Sequence, residues 1–366
     1  MSSKNKEQMY DYKNMDPAKV LAQQVGRETA VNIERFGFKE LGESRGESAH
    51  VIDIGPFYLA FTIEGLGTKN LVADEMEKLT GKSFYQEIAQ DAVAMIINDL
   101  LTSGAETISV PAYFGLGDDK WLTENPERTS DLINGWAKAC NIAGASYPCG
   151  ETATLSGIIN PETIDLVGAA IGFIRPKKRY VKPSNIKSGD AIVMVESSGI
   201  QSNGITGLRN NINKLEDGYL TKLSNGKTFG ETVLTPTFIY SDLNREIFEN
   251  NVLPHYIIHM TGHGWRKIMR ADADFIYEIN KIPTPQEEFS LVKRITGKDD
   301  KKMYNDYNMG AGFTYIVDPL DVDKVIKSAD KLGYKAFEAG VVKEGIKQVD
   351  IKPLNIIFDA DSMKLR

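Results

Sequence analysis

An α/β protein of two domains is predicted from three observations. Strand-like and helix-like segments alternate along most of the chain. Its 366 residues exceed what one hydrophobic core usually organises. A charged stretch with a helix breaker, Arg175-Pro176-Lys177-Lys178-Arg179, falls near the middle, which sets units of residues 1–175 and 176–366.

In the first unit, Val51–Ile54 and Tyr58–Ile63 read as strands around the turn Gly55-Pro56. Phe84–Leu101 reads as a helix, because Ile88, Ala92, Met95, Ile96 and Leu100 recur at helical spacing and Gly104 stops it. Thr107–Tyr113 reads as a strand, Ser130–Ile142 as a helix and Leu166–Ile174 as an apolar, glycine-containing strand. The second unit opens with the turn Ser188-Gly189-Asp190 and the strand Ala191–Val195. Further elements lie around Arg245–Asn250, Asp274–Ile279 and Asp321–Leu332. The polar stretch Lys281–Asn308, with Pro283 and Pro285, reads as helix plus loop.

Composition narrows the function. A net charge of -7 argues against a nucleic-acid coat or an anionic membrane surface as the main partner. Cys140 and Cys149 cannot build a disulfide framework, so a reducing compartment is expected. No apolar run approaches the roughly 20 residues of a membrane span, and Met1–Asn14 lacks a signal-peptide core. A cytoplasmic enzyme or binding protein fits.

Five constellations could carry chemistry. Thr62–Lys69 ends a strand and offers Glu64 to a cation, Gly65 and Gly67 for close backbone approach, the Thr68 hydroxyl, and Lys69 to neutralise phosphoryl charge. A plain glycine turn with an exposed lysine would read the same. On the Phe84–Leu101 helix, Asp91 and Asn98 share a face, and Asp99 is rotated from them by roughly 80°; oxygen ligands of this kind suit magnesium, although a solvated helix face has the same spacing. Cys149-Gly150-Glu151-Thr152 supplies another acid in a turn, a further ligand or an ordinary cap. Ser197–Gly204 follows a strand and precedes an expected helix from Leu208-Arg209 onward; such a loop can cradle an anion, while Ser and Asn also make common N-caps. His255, His259 and Thr261-Gly262-His263-Gly264 invite a zinc assignment, yet Ile257-Ile258 reads as strand, which sends the rings apart, so a phosphate-contacting Thr-Gly loop is preferred.

Taken in order, these blocks resemble AIR synthetase, the phosphoribosylformylglycinamidine cyclo-ligase family. Glu64–Lys69 is similar to its DGVGTK block, Asp91–Asp99 with Gly104-Ala105-Glu106 to its acidic helix, Cys149–Thr152 to its GGET block and Ser198–Gly204 to its SNG loop. Leu234-Thr235-Pro236-Thr237 with Tyr240, Thr261–Gly264, and Tyr304 with Asn308–Gly312 are similar to later blocks, and Ala336–Gly340 loosely to its end. The resemblance runs from about Tyr12 to Val342. Glu64 stands where the family has aspartate, Gln201 where it has histidine, and His263 where it has glycine.

The resemblance implies a two-domain, PurM-like α/β fold whose N-terminal sheet pairs with a twin in a homodimeric β-barrel. It implies a small-molecule nucleotide substrate, ATP and Mg2+. By the same resemblance Lys69, Asp99 and Asn203 are catalytic, and Glu64, Gly65, Gly67, Thr68, Asp91, Asn98, Glu151 and Thr152 bind the nucleotide. Ser198, Gly199, Ser202, Gly204, Thr261 and Gly262 would contact substrate, and Glu64, Asp91, Asp99 and Glu151 the metal. Relatives in the same superfamily fit less well: no cysteine precedes Cys140, unlike selenophosphate synthetases, and the chain ends Lys364-Leu365-Arg366 rather than in the cysteine of the hydrogenase-maturation relative. A thiamine-monophosphate kinase-like enzyme would lack the SNG and TGxG blocks together. A non-catalytic nucleotide-binding regulator is the alternative of a different class.

Overall fold

The structure, a computed structural model, describes residues 12–363. Most of the polar start and the Lys364-Leu365-Arg366 end lie outside the described residues.

Alternation of period two in β7 (Ile164–Ile174) puts Ile164, Leu166, Ala170 and Ile174 on a buried face and Asp165 and Ile171 on the other. Around it forms the first sheet, from β1 (Lys39–Glu40), β2 (His50–Asp53), β3 (Tyr58–Gly65), β4 (Glu106–Ser109), β5 (Ala112–Leu116) and β6 (Gly150–Thr154). Its order is β1-β2-β3-β7-β5-β6, with β4 also on β7. The single strand expected over Thr107–Tyr113 is two strands, broken at Val110-Pro111. Both pair with β7, and Pro111, lacking an N–H, sits at the break.

Helices α1 (Tyr12–Glu28), α2 (Asn70–Thr80), α3 (Tyr85–Leu101), α4 (Trp121–Glu124) and α5 (Pro126–Ala143) accompany this sheet. α3 is buried along almost its whole length, because it lies on β3 and β7, packs on α5 and touches elements of the second sheet. Its approach to β7 explains two glycines there. A Cβ at Gly168 would come within 2.5 Å of Ile96 Cδ1, and one at Gly172 within 2.9 Å of Leu100 Cδ2. Those positions need glycine for room, not for φ.

The second sheet has the order β14-β13-β10-β12-β8-β11-β9. Its strands are β8 (Ala191–Glu196), β9 (Tyr256–His259), β10 (Phe275–Ile279), β11 (Ala311–Val317), β12 (Ala336–Glu344), β13 (Gln348–Ile351) and β14 (Ile356–Asp359). β8, β9 and β11 are nearly wholly buried, with the apolar runs such strands require. Between strands lie α6 (Ile205–Arg209), α7 (Phe229–Val233), α8 (Ser241–Glu249), α9 (Glu287–Thr296), α10 (Asp300–Asp306) and α11 (Val322–Lys331). The helix expected from Leu208-Arg209 onward amounts to the single turn α6. It stops at Asn210-Asn211, and the Asn211 amide donates to the Gly207 carbonyl at 2.9 Å. No helix among the described residues is long and apolar enough to cross a membrane.

Candidate active site

Asp91, Asn98 and Asp99 all sit on α3 and all are buried. The helical phase divides them as their spacing requires. Asp91 and Asn98 face the segment 235–240, which leads into α8. Asp91 Oδ2 lies 2.7 Å from Lys69 Nζ, and its Oδ1 accepts from the Thr237 N–H at 2.9 Å and from Ser202 Oγ at 3.4 Å. Asn98 donates to the Phe238 carbonyl at 2.8 Å and accepts from the Tyr240 N–H at 3.1 Å. Lys69 completes the set by donating to the Thr235 carbonyl at 3.1 Å. Gln90 donates to the Thr237 carbonyl at 3.0 Å. Burial lowers the Lys69 pKa, against the pull of Asp91. The lysine expected to meet phosphate is an interior tie between α3 and residue 235.

Asp99 faces a different cluster. Its Oδ1 takes a hydrogen bond from His259 Nδ1 at 2.8 Å and lies 3.7 Å from Lys267 Nζ. Glu64, at the end of β3, sits beside it. Burial foremost, then the charge of Asp99, push the Glu64 carboxyl up to about 8, with Lys267 and Arg270 opposing. Burial would raise the Asp99 carboxyl too, but Lys267 and the His259 bond hold it below the usual range. His259 is lowered by burial despite Asp99. Lys267 also donates to Thr261 Oγ1. Arg270 extends the network outward, donating to the Gly46 carbonyl and to Ser48 Oγ. The sequence reading missed Lys267 and Arg270. A lysine six residues beyond Thr261 was the available signal, and only the three-dimensional contact with Asp99 gives it meaning.

The remaining expected residues fall around these two clusters. Thr68 Oγ1 meets Thr206 Oγ1 at 2.9 Å, across 138 positions of sequence. Gly67 adopts a left-handed φ of 78° just before it, and Gly65 closes β3. In the 197–204 loop, Ser198 Oγ is buried without a partner, Asn203 donates weakly to Met95 Sδ at 3.8 Å, and Gly199 is crowded by the Glu288 carboxyl. Gly204 faces the Tyr307 ring, which leaves no room for a side chain. Gly262 continues the Thr261 loop. Glu151 and Thr152 lie apart, exposed on the edge strand β6, where Glu151 bonds to the Thr152 N–H. His255 turns to Asp190 at 2.7 Å, away from the His259 ring on Asp99.

The four carboxylates expected around magnesium therefore occupy three places: Asp91 on Lys69, Glu64 with Asp99, and Glu151 at a sheet edge. Among the described residues no three histidine, cysteine or carboxylate groups converge as metal ligands do. That arrangement does not fit a protein-built metal cage.

The loops 197–204 and 261–267 do converge on one helix. Ser202 meets Asp91, and Thr261, through Lys267, meets Asp99, eight residues and roughly 12 Å further along α3. Comparison with known proteins places the chain in a family. Residues 46–174 match the family described as AIR synthase related protein, N-terminal domain. The phosphoribosylformylglycinamidine cyclo-ligase of Methanocaldococcus jannaschii is 34% identical over 304 residues, 82% of each chain. That of Carboxydothermus hydrogenoformans is 32% identical, over 80% of this chain and 83% of its own. The chain belongs to the phosphoribosylformylglycinamidine cyclo-ligase family.

It is thus a member of a ligase family. Solved structures similar to it share the fold at low identity. HypE in the HypE–HypF complex superposes with a TM-score of 0.60 at 16% identity, over 86% of this chain and 93% of that one. AaThiL, complexed with AMPPCP and TMP, gives 0.59 at 13%, over 85% and 89%. Two departures that replace a glycine of the cyclo-ligase pattern carry a backbone cost. His263, where the family has glycine, takes a φ of 72°, and Cys149, at the first glycine of the GGET block, takes 69°. A non-glycine residue in that region costs roughly 1 kcal/mol or more.

Proposed function

We propose that this chain is an ATP-dependent cyclo-ligase that converts formylglycinamidine ribonucleotide to aminoimidazole ribonucleotide in purine biosynthesis. The observation that carries the reading is the 34% identity to a cyclo-ligase across 82% of both chains, with the motif blocks in order. In the reaction the formyl oxygen attacks the γ-phosphorus of ATP and ADP leaves. The ribosyl-bearing nitrogen then attacks the activated carbon, phosphate departs with the former formyl oxygen, and a proton is lost as the ring closes. Such a sequence needs positioning and charge neutralisation more than a protein nucleophile. What supports this is a site of buried acids, buried ammonium groups and two loops gathered on α3.

In this reading Asp99, Glu64, His259 and Lys267 fix the Thr261-Gly262 loop, and Asp91 with Lys69 fixes the Ser202–Gly204 loop, so that both present backbone N–H groups and hydroxyls to the nucleotides. Ser198 Oγ, buried without a partner, is assigned to substrate, and Asn203, whose amide meets Met95 Sδ, to catalysis. The two units divide at 175/176, and the first pairs with a second copy through its open sheet face. Purified protein given ATP and formylglycinamidine ribonucleotide releases ADP in step with an aminoimidazole product. Nucleotide binding without turnover of that substrate points instead to a regulator.

A further inference from the structure

Asp99 is buried between α3 and the 261–269 segment, with Glu64 half-buried beside it at the end of β3, and among the described residues the ammonium paired with Asp99 is that of Lys267. Two buried carboxyls cannot remain side by side without a cationic partner or a shared proton. Here the partner is covalently part of the chain. Lys267 Nζ stands 3.7 Å from Asp99 Oδ1 and bonds to Thr261 Oγ1, while His259 Nδ1 occupies the same Asp99 oxygen at 2.8 Å. The lysine is carried on a tight turn, Gly264–Met269, that does not swing freely. Within it the Trp265 indole donates to the Asn308 carbonyl at 2.8 Å, and Ile268 and Met269 are fully buried.

We propose that the Lys267 ammonium is the fixed counter-cation of the Glu64–Asp99 pair, standing where a divalent ion would otherwise sit and closing the pair to metal in this chain. Magnesium demands near-octahedral oxygen coordination at about 2.0–2.1 Å. With an imidazole bonded to Asp99 Oδ1 and an ammonium fixed beside the same oxygen, a divalent ion entering the pair meets a standing positive charge and an oxygen already engaged. Lys267 is then a positioning residue: it neutralises the pair and ties the Thr261 loop to α3 without a metal having to be bound first.

The inference deepens the ligase reading by locating a cation, and its test uses neither nucleotide nor substrate, so either can fail without the other. Manganese binding to the unliganded full chain is followed by electron paramagnetic resonance, with thermal unfolding alongside. Wild type and Glu64→Gln are expected to bind manganese equally weakly. Lys267→Gln is expected to gain one site at least about tenfold tighter than any in wild type, and manganese should raise its Tm alone. Lys267→Arg should behave as wild type. The gain should vanish in the double variant Lys267→Gln/Glu64→Gln. The proposal is overturned if folded Lys267→Gln gains no site, or if Glu64→Gln weakens manganese binding in the wild-type background. Should Lys267→Gln fail to fold, that second comparison decides alone: unchanged binding supports the proposal and weakened binding refutes it.

Discussion

Lys69 shows how residue chemistry depends on what faces it. It has no exposed surface and is held by Asp91 at 2.7 Å and by the Thr235 carbonyl. Lys69→Met leaves Asp91 buried and uncompensated, so it should cost roughly 3–5 kcal/mol of stability in urea unfolding. Unchanged stability with lost nucleotide binding would favour the catalytic role of Lys69 over the structural one. Glu64 gives a pH signature. Its carboxyl is raised to about 8 from an ordinary 4.5, so the folded chain holds a proton the unfolded chain has released between those values. Stability from this group is complete below the unfolded value and is lost as pH rises through about 8. Wild type should lose on the order of 2 kcal/mol between pH 6 and pH 9, and Glu64→Gln should lose clearly less. Parallel losses in the two proteins would contradict the assignment. The sequence shows that Asp91 and Asn98 share a face and that Asp99 does not, because that is helix geometry. It does not show which lysine each acid meets. Asp91 contacts Thr237, 146 positions away, and Asp99 contacts His259, 160 away.

At the scale of elements, periodicity made α3, β7 and β8 legible to within a residue or two. Their burial is one-sided or complete, and the apolar pattern records it directly. Two features were less legible. Pro111 breaks the expected Thr107–Tyr113 strand, yet both halves stay on β7, since the interruption costs one ladder bond rather than the alignment. The helix after the 197–204 loop is a single turn, because Asn210 and Asn211 cap it early. The contact of α3 with β7 yields a packing prediction. Gly168→Ala places a methyl within 2.5 Å of Ile96 Cδ1 and 2.9 Å of the Pro111 carbonyl, and one of those neighbours is backbone. A loss of roughly 1–3 kcal/mol is expected in denaturant unfolding. The double variant Gly168→Ala/Ile96→Val should recover part of it. No loss in the single variant would mean that α3 rides further from the sheet than described.

Over the whole molecule, the first sheet presents an apolar face left exposed among the described residues. Phe61 and Ile171 pair across β3 and β7 and are 40% and 37% exposed, and Ile63 is 70% exposed. Apolar faces of this kind mark an interface, and a homodimer joined there is the assembly expected. Light scattering should give twice the chain mass, and Ile63→Lys should shift the population toward monomer without unfolding it. A wild-type monomer at micromolar concentration would contradict the pairing. The reaction itself is tested most directly by following one oxygen atom. Formylglycinamidine ribonucleotide carrying 18O in its formyl group is turned over with unlabelled ATP in ordinary water, and the released phosphate is examined by mass spectrometry. Transfer of the formyl oxygen to phosphorus predicts one 18O in each phosphate, formed one for one with ADP and with the aminoimidazole product. Product formed with unlabelled phosphate would contradict phosphorylation of the formyl oxygen, and labelled substrate left intact while ADP accumulates would contradict the cyclo-ligase assignment.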